Sequence, residues 1–271
     1  MNCIPLEKEQ KNKFQKIYKQ GQLPVILEIE HSVFGSNYGA NSWTTRSQAD
    51  EMSRMLNLQS QHNLLDLGAG SGWPGLYLAK QSGCQLVLVD LPTAGLNIAL
   101  QRSKRDGHNM KTLALAADAA QLPFYGQRFD AISHSDILCC LQKKRETLVA
   151  CREVIRPGGR MVFTVVAIAP NLSDQEIAEA IENGPQFVQS PTNYSKLLDE
   201  TGWQILEYRD LTEECADVCR QLMIIDSEKE RELHEAIGFD SFHERQADWR
   251  NRLYAIERKL LRRELYFVVP A

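Results

Sequence analysis

Leu64-Leu65-Asp66-Leu67-Gly68-Ala69-Gly70-Ser71-Gly72 is the stretch that decides the fold of this 271-residue chain. Its first four residues form a short apolar run, broken only by Asp66, which predicts a buried strand. The three glycines that follow permit a tight turn and a close approach of the backbone to a ligand. A strand that ends in such a turn and continues into a helix predicts a site for a nucleotide-like ligand.

Apolar strands and amphipathic helices alternate along the middle of the chain, which indicates a parallel sheet covered by helices on both faces. We therefore predict an α/β fold with a seven-stranded, mostly parallel sheet. The predicted strands span residues 64–67, 85–90, 111–117, 129–133, 161–167, 203–208 and 264–269, with a turn at 156–159. The predicted helices span residues 5–20, 73–81, 92–100, 143–155, 173–181 and 193–200, and Gly83 is the predicted stop of the helix at 73–81. Phe14, Ile17 and Tyr18 recur at helical spacing and predict that the first helix docks on the surface. Thr44 or Thr45 is predicted to cap a further helix that runs through Leu56.

Helix-forming residues dominate the segments on either side of this core. We predict a single domain over residues 1–271, with an N-terminal helical cap over 1–60 and the core of the sheet over 61–170. The C-terminal part, 171–271, contains a helical insertion over 212–263, before the last strand. We expect the cap and the insertion to form a lid over a small-molecule pocket.

The run Arg258-Lys259-Leu260-Leu261-Arg262-Arg263 closes the insertion. We interpret it as a solvated helix face and not as a patch that binds nucleic acid. Trp249, Leu253, Ile256 and Leu260 recur at helical spacing and predict the core face of the same helix.

Acidic residues follow the second and third predicted strands. Asp90 lies 22 residues after Gly68, close to the spacing of about 20 residues for an acid that binds ribose hydroxyls. Asp118 follows the third strand. A nicotinamide dinucleotide is disfavoured, because Trp73 holds the third glycine position of the G-x-G-x-x-G fingerprint. Asp66 would also repel a pyrophosphate, whereas it would suit an ammonium group.

Five stretches, in order and at matching spacing, resemble the motifs of class I S-adenosylmethionine-dependent methyltransferases. Residues 64–72 resemble the first motif and Val89-Asp90-Leu91 the second. Residues 117–124 resemble the third motif, 129–134 the strand at whose end the methyl group is presented, and 152–159 the helix and turn before strand five. The resemblance implies a Rossmann-like sheet and an enzyme that transfers methyl groups.

The resemblance also implies the ligand and the residues that hold it. S-adenosylmethionine would be the cofactor and S-adenosylhomocysteine the product. Asp90 would accept hydrogen bonds from the ribose, Leu91 would pack on the adenine, and Asp118 would take the adenine amino group. The predicted cofactor-binding residues are Trp43, Arg46, Asp66, Gly68, Ala69, Gly70, Gly72, Asp90, Leu91, Asp118, Ala119 and His134, and no metal ligand is predicted.

Three of these residues have a structural alternative. Asp66 could be a buried acid tied to backbone amides, and Asp118 could cap a turn before Pro123. His134 could act as a general base, since the usual pKa of imidazole lies near neutrality, or it could line the cofactor pocket by packing. Residues 38–46 resemble the loop that reaches across the cofactor in members that act on small molecules.

The acceptor is predicted to be a small organic molecule with an O, N or C nucleophile. Ser133-His134-Ser135-Asp136 stands where enzymes that methylate nucleobase amines have Asp/Asn-Pro-Pro-Tyr/Phe. A net charge of −4 provides no broad positive field, so no nucleic-acid partner is expected. Protein or RNA methylation and non-catalytic cofactor binding stay open as alternatives, and Phe239, Phe242 and Tyr254 are candidates for an acceptor pocket.

We expect the protein to be cytoplasmic, as a monomer or homodimer. The seven cysteines include no CxxC pair, which argues against a disulfide framework or a zinc site. No run of about 18 apolar residues predicts a membrane span. The first eight residues do not resemble a signal peptide.

Overall fold

The computed structural model describes residues 5–39, 43–107 and 112–271, and in these residues seven strands form one sheet. The strands are β1 (Asn63–Leu67), β2 (Gln85–Asp90), β3 (Thr112–Ala116), β4 (Phe129–Ser135), β5 (Ile155–Ile168), β6 (Trp203–Asp210) and β7 (Leu261–Pro270). Their order across the sheet is β3-β2-β1-β4-β5-β7-β6. All seven predicted strands are present, although Lys111, the predicted start of the third, lies outside the described residues.

The sheet is mostly parallel, as predicted. Strands β1 to β5 pair in parallel, and β7 runs antiparallel to both of its neighbours, β5 and β6. The strand order reverses between β1 and β4, and in open α/β sheets ligands bind beyond the carboxyl ends of the strands at such a point. The glycine-rich turn after β1 lies at this reversal.

Helices cover both faces of the sheet. They are α1 (Pro5–Gln20), α2 (Pro24–Phe34), α3 (Arg46–Leu56), α4 (Gly75–Ser82), α5 (Thr93–Arg105), α6 (Lys144–Val154), α7 (Asp174–Asn183), α8 (Tyr194–Glu200), α9 (Thr212–Glu228), α10 (Glu230–Ile237) and α11 (Phe239–Glu257). Leu64 and Leu65 show how one strand supplies two cores, because successive side chains of a strand point to opposite faces. Leu64 packs in the layer of α3, α4 and α5, and Leu65 in the layer of α6 and α8.

Local signals set several helix ends. Thr45 is the N-cap of α3, and its side chain and that of Gln48 form a reciprocal capping box. Gly83 ends α4 in the left-handed conformation, at the predicted stop. Helix α2 has no separate prediction; its buried face, which includes Ile29, packs against Leu222 and Leu233 of the insertion.

The predicted end of the insertion is wrong. Helix α11 ends at Glu257, and residues 261–263 already belong to β7, where Arg263 pairs with Val166 of β5. The run 258–263 is therefore not a solvated helix face, since Arg263 is only 1% exposed. Residues 261–263 form a strand in spite of their helix-forming composition, because they pair with β5 in the antiparallel direction. The local sequence does not encode this pairing.

Two smaller expectations also differ from the structure. The predicted turn at 156–159 is part of β5, which has a register irregularity opposite Phe129 and Ala131 of β4. Helix α4 begins at Gly75, two residues later than predicted. Among the described helices, none is both long and apolar enough to cross a bilayer.

Candidate functional site

The glycine loop, residues 68–72, is tied to the end of β2. Gly68, Gly70 and Gly72 all have positive φ angles (62°, 49° and 100°), which L side chains rarely adopt. The Gly70 N–H donates a 2.8 Å hydrogen bond to Asp90 Oδ2, and the Leu91 N–H donates one of the same length to Oδ1. The predicted ribose-binding acid, Asp90, therefore lies directly against the predicted ligand loop.

Asp90 is held in a low-polarity setting. Burial raises the pKa of this carboxyl group to about 6, and the hydrogen bonds from Gly70 and Leu91 oppose the rise. Each carboxylate oxygen has two lone pairs, so Oδ1, which accepts from the Leu91 N–H, still has capacity for a ligand hydroxyl.

Asp66 lies behind the glycine loop and is 1% exposed. The Ser133 hydroxyl of β4 donates a 2.6 Å hydrogen bond to Asp66 Oδ1. A Cβ on Gly75 would come within 2.4 Å of Asp66 Oδ2, so the start of α4 needs glycine at this position. Burial raises the Asp66 pKa to about 7. Asp66 thus connects β1, β4 and α4 beneath the loop. Because its pKa is about 7, its negative charge there depends on the pH.

Tyr18 of α1 is a site residue that the sequence did not identify. Its hydroxyl donates a long hydrogen bond of 3.4 Å to Asp90 Oδ2. Its ring covers the glycine loop, because a Cβ on Gly70 or on Gly95 would come within 2.9 Å of it. The helical spacing of Phe14, Ile17 and Tyr18 predicts that α1 docks, but no local signal pairs Tyr18 with an acid 72 positions away.

Asp118 and Ala119 lie in the turn after β3. Asp118 Oδ1 accepts a 2.9 Å hydrogen bond from the Ala120 N–H, and Lys143 Nζ lies 3.7 Å from Oδ2. Ala119 is 6% exposed. The turn-capping alternative for Asp118 is thus present in the structure, and the Asp118 side chain is 24% exposed.

His134 is fully buried in β4. Its ring stacks on Phe163 of β5 with centroids 4.5 Å apart, and neither ring nitrogen has a hydrogen-bond partner in the described part of the chain. Burial lowers the His134 pKa to about 3, so the imidazole is neutral at physiological pH. This geometry favours the packing alternative over a general base.

The predicted loop 38–46 divides into parts with different contacts. Ala40–Ser42 lie outside the described residues. Thr44 is anchored by Trp73, whose Nε1–H donates a 2.8 Å hydrogen bond to its carbonyl. Trp43 meets Trp249 of α11 edge to face, with centroids 5.4 Å apart. The guanidinium of Arg46 stacks on Tyr77, 4.2 Å from the ring centre, so its contacts do not connect it to the glycine loop.

A buried arginine fixes this loop to the sheet. Arg263 of β7 pairs with Asp136, which follows β4 with a φ of 56°, at 3.0 Å. It also donates to the side chains of Gln48, Thr44 and Thr164 at 2.9–3.1 Å. We call these five residues the arginine anchor. The anchor holds the start of α3 against the carboxyl ends of β4 and β5. The sequence prediction missed it because Arg263 was assigned to a helix and because its partners are distant in sequence.

The chain matches known methyltransferases by sequence. Residues 65–163 match the family model described as a methyltransferase domain. Methyltransferase GfsG of Streptomyces halstedii is 24% identical over 69% of this chain and 73% of that protein. Phosphoethanolamine N-methyltransferase 1 of Arabidopsis thaliana is 22% identical over 84% of this chain, which spans only 45% of the plant protein.

The fold matches as well. Phosphoethanolamine N-methyltransferase 2 of Haemonchus contortus, solved with phosphomonomethylethanolamine and S-adenosylhomocysteine, has a TM-score of 0.77 at 17% identity. The match covers 95% of this chain and 60% of that one. The fold is therefore that of the class I methyltransferases. Residues 65–163 are thus similar to a methyltransferase domain, as the sequence motifs predict, and the predicted Rossmann-like fold is confirmed.

Proposed function

We propose that this chain transfers a methyl group from S-adenosylmethionine to a small organic acceptor. The observation that carries this proposal is the hydrogen bond between the glycine loop and Asp90. It assembles a backbone cradle and a ribose-binding acid at the point where the strand order reverses.

The residues at this edge fit S-adenosylmethionine. The glycine loop permits a close backbone approach, and the Asp90 carboxylate has acceptor capacity for ribose hydroxyls. Asp66 provides buried negative charge, which suits the ammonium and sulfonium groups of this ligand. When bound, S-adenosylmethionine supplies an electrophilic methyl group. Of the predicted residues, we leave out Arg46, whose guanidinium stacks on Tyr77. We assign the others to this site and add Tyr18: Trp43, Asp66, Gly68, Ala69, Gly70, Gly72, Asp90, Leu91, Asp118, Ala119 and His134.

The contribution of the protein to the reaction is alignment and exclusion of water. Tyr18 on α1 covers the glycine loop on one side, and α9 and α11 carry the residues that pack on Trp43 on the other. Because Tyr18 lies in front of Gly70, we expect α1 to shift when the cofactor enters. No general base is required by this account, and His134 is assigned to packing.

Several finer features belong to the same proposal. Two of the similar proteins are named as phosphoethanolamine N-methyltransferases, which supports a small acceptor. The net charge of −4 offers no field that would favour nucleic acid. We propose one domain, a cytoplasmic location and a monomer or homodimer. Phe239 and Tyr254 are 61% and 42% exposed, so they are not assigned to the acceptor pocket.

Release of S-adenosylhomocysteine tests the proposal. The purified chain is incubated with S-adenosylmethionine and, in turn, with pools of small amines, alcohols and carbon nucleophiles, a protein extract and total RNA. We expect product release with a small-molecule pool and its loss in Asp90→Ala, while Asp199→Ala, an exposed acid on α8, retains it. Release only with protein or RNA would replace the small-molecule acceptor, and binding without release to any pool would contradict the enzyme.

A further inference from the structure

Arg252 is a partly buried cation that pairs with no carboxylate among the described residues. It lies on α11, and its Nε and Nη1 atoms are buried without a hydrogen-bond partner in the residues that the structure describes. Arginine stays charged in proteins, and an unpaired charge in the interior is costly. An unsatisfied buried donor of this kind indicates a missing partner.

The surroundings hold this cation in place. The guanidinium carbon of Arg252 lies 5.8 Å from the centre of the Trp43 ring. Trp249 packs on the same ring, and its Nε1–H donates a 2.9 Å hydrogen bond to the fully buried Asp226. Asp226 is itself paired with Arg245 at 2.6 Å, so it is not the counter-ion of Arg252. Arg252 therefore rests on an aromatic platform that is anchored from behind.

The segment 136–140 connects Arg252 to the proposed cofactor site. Ile137 packs on the glycine loop, because a Cβ on Gly68 would come within 2.7 Å of its Cδ1. The Cys140 thiol, three residues further along, interacts electrostatically with both Tyr18 and Arg252. Arg252 therefore lies near the end of a segment whose start packs on the glycine loop.

A second cation near this segment also has no carboxylate partner. Lys144, only 2% exposed, donates to the carbonyl oxygens of Leu141 and Phe187 at 2.6 and 2.5 Å, and no carboxylate pairs with it among the described residues. Asp136, the acid within the segment, is already paired with Arg263 at 3.0 Å. An anion is therefore the kind of partner that Arg252 and Lys144 favour.

We propose that Arg252 binds an anionic group, a carboxylate or a phosphate, of the methyl acceptor. This inference rests on the proposed function, since it assigns a class of acceptor to the same site. The guanidinium fork matches the paired oxygens of either anion and forms strong charge-assisted hydrogen bonds with them. Binding of the anion orients the rest of the acceptor toward the glycine loop.

The test is an anion titration of the full chain, followed by tryptophan fluorescence, because Trp43 adjoins Arg252. Inorganic phosphate and acetate are titrated separately at constant ionic strength, with and without saturating S-adenosylhomocysteine. We expect a saturable change in the wild type with at least one anion, and the stronger of the two distinguishes a phosphate site from a carboxylate site. Arg252→Gln is expected to weaken binding at least about tenfold, and Arg252→Lys by less.

Arg250→Gln is the matched control, since Arg250 is an exposed arginine two positions away on α11. It should bind the anion as the wild type does. A wild type without saturable anion binding, or an Arg252→Gln variant that binds as tightly as Arg250→Gln, would overturn the proposal. Calorimetry with S-adenosylhomocysteine separates the two proposals, because its failure removes the cofactor site while the titration without it still tests Arg252.

Discussion

The glycine loop and the arginine anchor are two polar clusters at the same edge of the sheet, but they are built over different distances in sequence. Gly70 and Asp90 are 20 positions apart, and they belong to consecutive strand–turn units. Arg263 reaches Asp136 across 127 positions and Gln48 across 215. The first cluster is a recurring local motif, whereas the second exists only after the whole sheet has closed. The comparison teaches that the ligand loop is encoded locally and the anchor is encoded by the topology.

The largest expected effect comes from breaking the anchor. Arg263→Met leaves Asp136 buried and unpaired, so we expect the free energy of unfolding to fall by about 3–5 kcal/mol in urea denaturation followed by circular dichroism. Arg220→Met, which removes an exposed arginine that pairs with Asp217 at 2.7 Å, should cost less than about 1 kcal/mol. Equal losses of unfolding free energy in the two variants would show that the anchor stabilises the fold no more than an exposed ion pair does.

The acids beside the glycine loop should make both the stability and the cofactor affinity of the protein depend on pH. The pKa values of Asp66 (about 7) and Asp90 (about 6) lie above their unfolded values, so the folded state keeps protons that the unfolded state has lost. Stability from this source is complete at low pH and is lost as the pH rises toward 7. A cationic ligand prefers the ionised acids, so its affinity should rise about tenfold between about pH 5.5 and about pH 8.

Asp66→Asn provides the control for that profile. Its affinity for S-adenosylmethionine, measured by calorimetry across the same range, should vary less with pH than that of the wild type. An unchanged profile in this variant would remove Asp66 from the account of the ligand charge.

His134 of β4 lies between the two clusters. Its substitution tests whether the end of this strand takes part in catalysis. A general base contributes about 10²- to 10⁴-fold to a rate. Because the His134 ring is buried, neutral and stacked on Phe163, we expect His134→Leu to change turnover by less than about tenfold. A loss of about a hundredfold in turnover, with a shifted pH–rate profile and unchanged cofactor affinity, would restore the catalytic hypothesis.

The smallest effect is expected at Tyr18, where α1 meets the loop. Its hydrogen bond to Asp90 is long, at 3.4 Å, so Tyr18→Phe should change cofactor affinity by less than about fivefold. Tyr18→Ala removes the ring that covers Gly70 and should speed cofactor association in stopped-flow measurements. If the two variants associate at the same rate, Tyr18 does not gate the loop.

The sequence predicted the parts of the site that local geometry determines. Strand ends, the glycine turn after β1 and the acid after β2 all follow from residues that are neighbours along the chain. It also predicted that Thr44 or Thr45 caps α3, and Thr45 does so.

The missed features depend on contacts between distant elements. Residues 261–263 have helix-forming composition, and only their pairing with β5 makes them a strand. In the sequence, Tyr18 and Arg252 resemble ordinary residues of amphipathic helices. Their roles depend on contacts with Asp90 and Trp43, which belong to other parts of the chain. Periodicity shows which face of a helix docks, but not which polar group it will meet.

Calorimetric titration of the wild type and Asp90→Ala with S-adenosylmethionine measures whether this edge of the sheet binds the cofactor. We expect saturable binding by the wild type and affinity about a hundredfold lower in the variant, because charge-assisted hydrogen bonds to the ribose are lost. Thermal unfolding of both proteins checks that the variant remains folded. Absence of binding by the wild type, or equal affinities for the wild type and a folded Asp90→Ala variant, would contradict the assignment of this edge to the cofactor.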